Sequence, residues 1–377
     1  MIISLTYSIP KFRGVYVFTF LAFLFSPNRI PAQTNPNFNV TLDLDYASAE
    51  QCIQLYTDGF VNVEQLAGLR GSKIAASTTG LIAQTNGSFE FLRNYLDSLK
   101  SHEIIYDDVF RLEEARKNVD QIKALLQIIK KENFSRRVSA TVEQIFPQNA
   151  RIDANIPLYF VAFGSGNVDA YVRRIVWHGD NPEFVGENQG ELTIVVNLAR
   201  AINYPGSPPA KFITLLDVVA HEVFHAAFGV YKDRSEIWKN YAATHRKPID
   251  ALLDLTQNEG IAYYLSLAEA GKGRLPQDWF ARTRAVFETF NKNAAELQSD
   301  TITSRRTAEL IRTANMSGYW DSYGAMTGMF IAREIDNDLG RAALIETIEK
   351  GPADFFNKYL TLTQRDSNLP PLSVKIE

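Results

Sequence analysis

The sequence predicts an α+β fold, predominantly helical, with a small β-sheet between a helical N-terminal region and a helical C-terminal half. Three observations carry this. Apolar residues recur at three- and four-residue spacing through most of the chain. Short β-branched, apolar runs interrupt that pattern at residues 156–163 and 191–198. A long, apolar, proline-free segment then follows at 211–230, and the rest stays helical in pattern. The 377 residues are 46% hydrophobic and 22% charged, a globular composition with length for two domains.

Taken in order, residues 1–32 read as a signal peptide. Lys11 and Arg13 supply the positive start and Gly14 to Phe25 the apolar stretch, which is too short to span a bilayer; the polar segment ends at the small residue Ala32. Cleavage there leaves Gln33 first, with no stable membrane insertion, and removes Lys11, Arg13 and Arg29, taking the net charge from −4 to −7. An acidic, exported chain with one cysteine suits a bacterial periplasm or exterior, so the expected location is secreted or periplasmic.

Residues 33–150 form the N-terminal helical region. After a polar lead-in at 35–37, helical spacing marks 47–56, 89–99 and the amphipathic stretch 109–129, punctuated by Gly71 and a Thr-Asn-Gly-Ser cluster at 85–88. Pro147-Gln148-Asn149 marks a boundary, and 151–377 reads as a second domain. Its strands are expected at 156–163, 168–177 and 191–198, with a turn at His178-Gly179-Asp180-Asn181-Pro182.

Composition narrows the chemistry. Cys52 is the single cysteine, which excludes an intrachain disulfide framework and multi-cysteine metal sites. No Lys/Arg-rich block points to nucleic acid. Among five histidines, His221 and His225 lie four apart in His-Glu-Val-Phe-His. On a helix those positions share a face, so both imidazoles reach one ion, and Zn²⁺ accepts such nitrogens. Glu222, between them, is placed to hold and deprotonate a water carried by the ion. Asp217, four before His221, could orient that imidazole.

A catalytic zinc takes a third protein ligand. Gly and His three and six after His225 would mark one class of zinc peptidase; the residues there are Phe228 and Tyr231. Glu259, 34 residues after His225, is the leading candidate, because an acid within the apolar helical run 255–265 is costly unless paired or ligating. His245 and Glu236 are the rivals.

His221-Glu222-x-x-His225 followed by Asn258-Glu259-Gly260-Ile261-Ala262 resembles the gluzincin zinc peptidases, and the layout resembles zinc-dependent peptidases of bacteria grouped as a domain-of-unknown-function family. The resemblance implies a zincin-like catalytic domain at 151–377 and Zn²⁺ on His221, His225 and Glu259. It implies Glu222 as general base, a peptide or protein substrate, and a tyrosine or histidine donor for the oxyanion. Tyr319 and Tyr323 lie in the candidate segment 318–335, with Tyr323 preferred, and Gly324 and Gly328 would permit close helix approach. The resemblance also implies an edge strand that pairs with the substrate backbone, assigned to 191–198. The chain departs from the aminopeptidase branch in its longer gap to Glu259 and its lack of an exopeptidase motif, which favours internal cleavage. It departs from the thermolysin branch in having Tyr263 four after Glu259. A catalytically silent binding protein and a zinc hydrolase of non-peptide amides or esters remain the alternatives.

Overall fold

The computed structural model describes residues 35–83, 89–103, 105–165, 168–186, 189–268, 278–315 and 320–376. The proposed leader, the 85–88 cluster and Tyr319 lie outside these residues. Residues 34–377 form one compact unit.

The described residues open with a strand directly after the polar lead-in at 35–37, one that the helical pattern of the sequence does not predict. In β1 (Phe38–Asp45) Val40 and Leu42 turn inward while their neighbours face solvent, the two-residue period of a half-buried strand. Seven helices follow: α1 (Ala47–Thr57), α2 (Val63–Gly68), α3 (Arg70–Ala83), α4 (Phe89–Lys100), α5 (Leu112–Lys117), α6 (Val119–Lys131) and α7 (Phe134–Glu143). The expected helix over 109–129 is broken at Asn118, which ends α5 and precedes α6. The strands β2 (Ile152–Val161), β3 (Ala170–His178), β4 (Asn181–Phe184) and β5 (Glu191–Asn197) complete a sheet of order β1-β2-β5-β3-β4. β1, β2 and β5 run parallel, whereas β3 is antiparallel to β5 and β4 to β3. The expected turn closes the β3–β4 hairpin, with Gly179 at φ +61°.

This order corrects the edge-strand assignment. The run at 191–198 is the inner strand β5, paired with β2 on one side and β3 on the other. Its physical reason is visible in Ile194, Val195 and Val196, consecutive and all buried, as in a strand covered on both faces. The accessible edge belongs to β3. β4 covers it from Ile175 to His178, so along 170–173 β3 meets β5 on one side and no described strand on the other.

The remaining helices are α8 (Leu198–Ala201), α9 (Pro208–Arg234), α10 (Glu236–Thr244), α11 (Pro248–Ala268), α12 (Trp279–Leu297), α13 (Ser304–Asn315), α14 (Tyr323–Leu339), α15 (Arg341–Lys350) and α16 (Pro352–Arg365). Prolines in the first turn of α9 suit positions whose N–H groups have no helical partner. α9 is long and apolar enough to cross a membrane by composition, but it is a core helix: Leu215, Val219, Val223, Phe224 and Ala227 are buried. It packs against the sheet, α6, α7 and α11. α11 in turn lies against α14 at backbone contact. A Cβ added to Gly328 would stand 1.9 Å from the Thr256 carbonyl oxygen, and one added to Gly260 would stand 2.4 Å from the Gly328 Cα. The close approach expected of Gly328 is met, with α11 as its partner.

Candidate metal centre and active site

The midpoint of α9 carries His221, Glu222 and His225. The next helix but one, α11, brings Asn258 and Glu259 against them. His221 Nε2 and His225 Nε2 are 3.0 Å apart. Glu259 Oε2 lies 3.6 Å from the first and 3.4 Å from the second. Two nitrogens and one carboxylate oxygen thus converge, one ligand atom from each side chain, within 4.8 Å of one another. The side chains are 12%, 19% and 15% exposed, sunken but reachable. The donor set is the N, N, O combination that Zn²⁺ takes with a fourth position left open.

Neighbouring groups aim these ligands. His225 Nδ1 donates to Asn258 Oδ1 at 3.0 Å, the tautomer that leaves the Nε2 lone pair facing the cluster. The Ala262 backbone holds the His221 ring. Asn315, at the end of α13, donates through Nδ2 to Glu259 Oε1 at 2.7 Å, leaving Oε2 toward the histidines. Tyr263, one turn beyond Glu259, sets its ring edge-on to His221 at 4.6 Å. Asp217 is buried one turn before His221.

The three groups stand close enough to shift one another's protonation. Burial, with His225 beside it, pushes His221 down to about 3. Burial also opposes charge on His225, but the carboxylates of Glu259 and Glu222 outweigh it and raise His225 to about 9. Burial would raise Glu259; His225, His221 and Asn315 together hold it below its usual range. Without metal the cluster therefore keeps one proton, on His225, where a cation belongs. Glu222 is pushed up to about 7, chiefly by burial, with Glu259 and Asp169 adding to the rise and His225 and Arg173 opposing it.

The cluster opens onto a cleft of about 950 Å³. One wall is Val172, Arg173 and Arg174 of β3; the other carries His225 and Glu259, and Trp238 and Arg246 lie further along. Tyr204 donates to Asp169 Oδ2 at 2.7 Å, and both lie within the field of Glu222.

The other expected residues lie elsewhere. Tyr323 is not brought to the cluster: its hydroxyl is buried in the helical core and donates to the Leu310 carbonyl at 2.8 Å, and its ring packs on Phe290. A phenol already committed to a backbone carbonyl cannot serve an oxyanion, so that assignment is corrected. His245 stacks on Tyr241 at 4.2 Å, and Glu236 pairs with Lys239 in the first turn of α10. Of the groups missed from sequence, Asn258 carried a signal as the neighbour of Glu259. Asn315 carried none, being 56 residues away on another helix.

The chain matches no curated protein and no solved structure. A family model described as "Putative zinc dependent peptidase (DUF5700)" matches residues 79–368. That span holds the whole cluster and most of the chain, and the protein belongs to this family.

Proposed function

We propose that the protein is an exported endopeptidase in which Glu222 is the general base. The observation that carries this is the convergence of His221, His225 and Glu259 beside Glu222, at a cleft lined by β3. His221, His225 and Glu259 would hold a zinc ion, which would supply Lewis acidity for the scissile carbonyl and for water. Glu222 takes the proton of the attacking water and returns it to the leaving amine. Its elevated pKa suits both transfers near neutral pH.

The substrate backbone lies along β3 at 170–173, where an extended peptide can add as a strand. The Val172 carbonyl points to that side, two residues before the Arg174 carbonyl that accepts from Val185 N at 3.0 Å. Internal cleavage fits a chain with no exopeptidase motif, and export fits the apolar leader at 14–25.

The test uses residues 33–377 loaded with zinc and presented with a mixed peptide library. Glu222→Gln should retain one equivalent of zinc and lose hydrolysis by roughly 10²–10⁴-fold, the usual contribution of a general base. Zinc bound well below one equivalent would reject the site, and activity retained in the variant would reject the base.

A further inference from the structure

Arg173 is a cation set into the cleft wall without an anion. It emerges from β3 beside the open edge, and its guanidinium carbon sits 5.0 Å from the Tyr171 ring and 5.5 Å from the Phe184 ring. Nη1 donates to the Val172 carbonyl at 2.9 Å, and Nε is buried with no acceptor. No carboxylate among the described residues lies within ion-pairing distance of it. Two lysines in the same cleft are paired: Lys232 with Asp254 and Lys239 with Glu236. Glu222 is close enough to be felt electrostatically but is not in contact. Nε is enclosed beyond a ligand's reach, whereas Nη2 is neither enclosed nor bonded to a described residue and is the donor left for an acceptor in the cleft; an unmet donor on a sunken charge is costly. The aromatic pair and the backbone carbonyl fix the guanidinium's plane, the preorganisation that bidentate binding of a carboxylate requires.

We propose that Arg173 is the specificity-determining residue of this cleft and binds a carboxylate of the peptide substrate, either an acidic side chain or the free C-terminus. The proposal rests on the peptidase reading above. A peptide laid along β3 passes the guanidinium within the same cleft that holds His225 and Glu259, so the recognised carboxylate lies within a few residues of the scissile bond.

The experiment measures binding rather than turnover, with the zinc-loaded Glu222→Gln protein and fluorescence anisotropy. Labelled peptides are compared in pairs, glutamate against glutamine at each position, and free C-terminus against C-terminal amide. Replacing the recognised carboxylate should weaken binding about 10- to 100-fold, the range of a charge-assisted hydrogen bond. The pair that shows the difference identifies the source. Adding Arg173→Gln should abolish the difference while the amide peptides bind as before, which also shows that the cleft still folds. Arg173→Lys, which keeps charge but loses the fork, should restore only part of it. Equal affinity for both members of every pair, or equal weakening of both by Arg173→Gln, would overturn the proposal alone. Failure of every peptide to bind the zinc-loaded protein would overturn the peptidase reading with it.

Discussion

The contact between α11 and α14 makes Gly328→Ala an informative perturbation of the metal centre from outside it. The added Cβ would stand 1.9 Å from the Thr256 carbonyl oxygen and 2.8 Å from the Gly260 Cα. Ordinary contact is about 3.4 Å, so the helices must separate by about 1.5 Å, and both obstacles are backbone that cannot rotate away. Overpacking of a core costs about 1–3 kcal/mol, and a backbone clash belongs at the upper end. At about 2.1 cal/mol/K per residue, a unit of this size unfolds with an entropy near ~0.7 kcal/mol/K, so ~3 kcal/mol lowers Tm by about 4 °C. Glu259 adjoins Gly260, and ligand distances tolerate only about ±0.2 Å, so zinc affinity should fall by at least about tenfold. Gly229→Ala is the control. It sits on α9 one turn past His225 with nothing within 4 Å of its Cβ, and should be neutral or stabilising by about 0.5–1 kcal/mol. Calorimetry and competitive zinc titration check both. A Gly328→Ala protein with unchanged Tm and zinc affinity would refute the view that this crossing positions Glu259.

Three further outcomes follow from the hydrogen bonds and charges of the cluster. Asn315→Ala removes the donor that turns Glu259, and should cost 10- to 100-fold in zinc affinity by competition with a chromophoric chelator, with little loss of helicity. Because Glu259 and Glu222 hold His225 at about 9, zinc binding at pH 7 must expel its proton. Titration calorimetry in buffers of different ionisation enthalpy should find at least one proton released, and affinity should fall about tenfold per unit as pH drops through the range below 9; pH-independent binding would contradict this. Tyr323→Phe should leave kcat within about twofold and cost about 0.5–1.5 kcal/mol of stability, since it removes one buried hydrogen bond to a Leu310 carbonyl that still accepts from Thr313 Oγ1. A large drop in kcat with intact stability would return Tyr323 to the active site.

The metal cluster was legible because its chemistry is written in helical spacing. His221 and His225 share a face by the helix period alone, and Glu259 stood out as an acid in an apolar run. What escaped depended on which elements meet in space. Residues 38–45 alternate plainly, Phe38, Val40, Leu42 and Leu44 against polar partners, but the strand is short and lies before a helical stretch that dominated the window. β4, Asn-Pro-Glu-Phe, has no apolar period and is held by its hairpin with β3 and by packing against α3. The order of the sheet was not written locally either. The run 191–198 is the last strand before α9 in sequence, yet the β3–β4 hairpin pairs beside it and makes it an inner strand. Tyr323 failed for the same reason: among 16 tyrosines, position on a helix face does not say whether that face meets a cleft or the core.

Glu222 shows how such a site trades stability for chemistry. A helix turns about 100° per residue, so Glu222, the proposed base, projects beside the His221 and His225 imidazoles rather than among them. Burial raises its pKa most, Asp169 just before β3 adds to the rise and Arg173 of β3 opposes it, with the balance at about 7. Its ordinary value is 4.5, so between these two pH values the folded protein binds a proton that the unfolded chain does not. Stability therefore falls as pH rises from about 4.5 to 7, by up to about 1.36 kcal/mol per unit of pKa difference, and stays reduced above 7. Glutamine has the same shape and no charge. In the metal-free protein Glu222→Gln should accordingly raise Tm at pH 8 by about 2–5 °C and change it little at pH 4.5, while abolishing hydrolysis in the zinc-loaded form. A variant equally stable with parent at pH 8 would mean that the carboxylate is well solvated, and a solvated carboxylate would lack the basicity this mechanism asks of it.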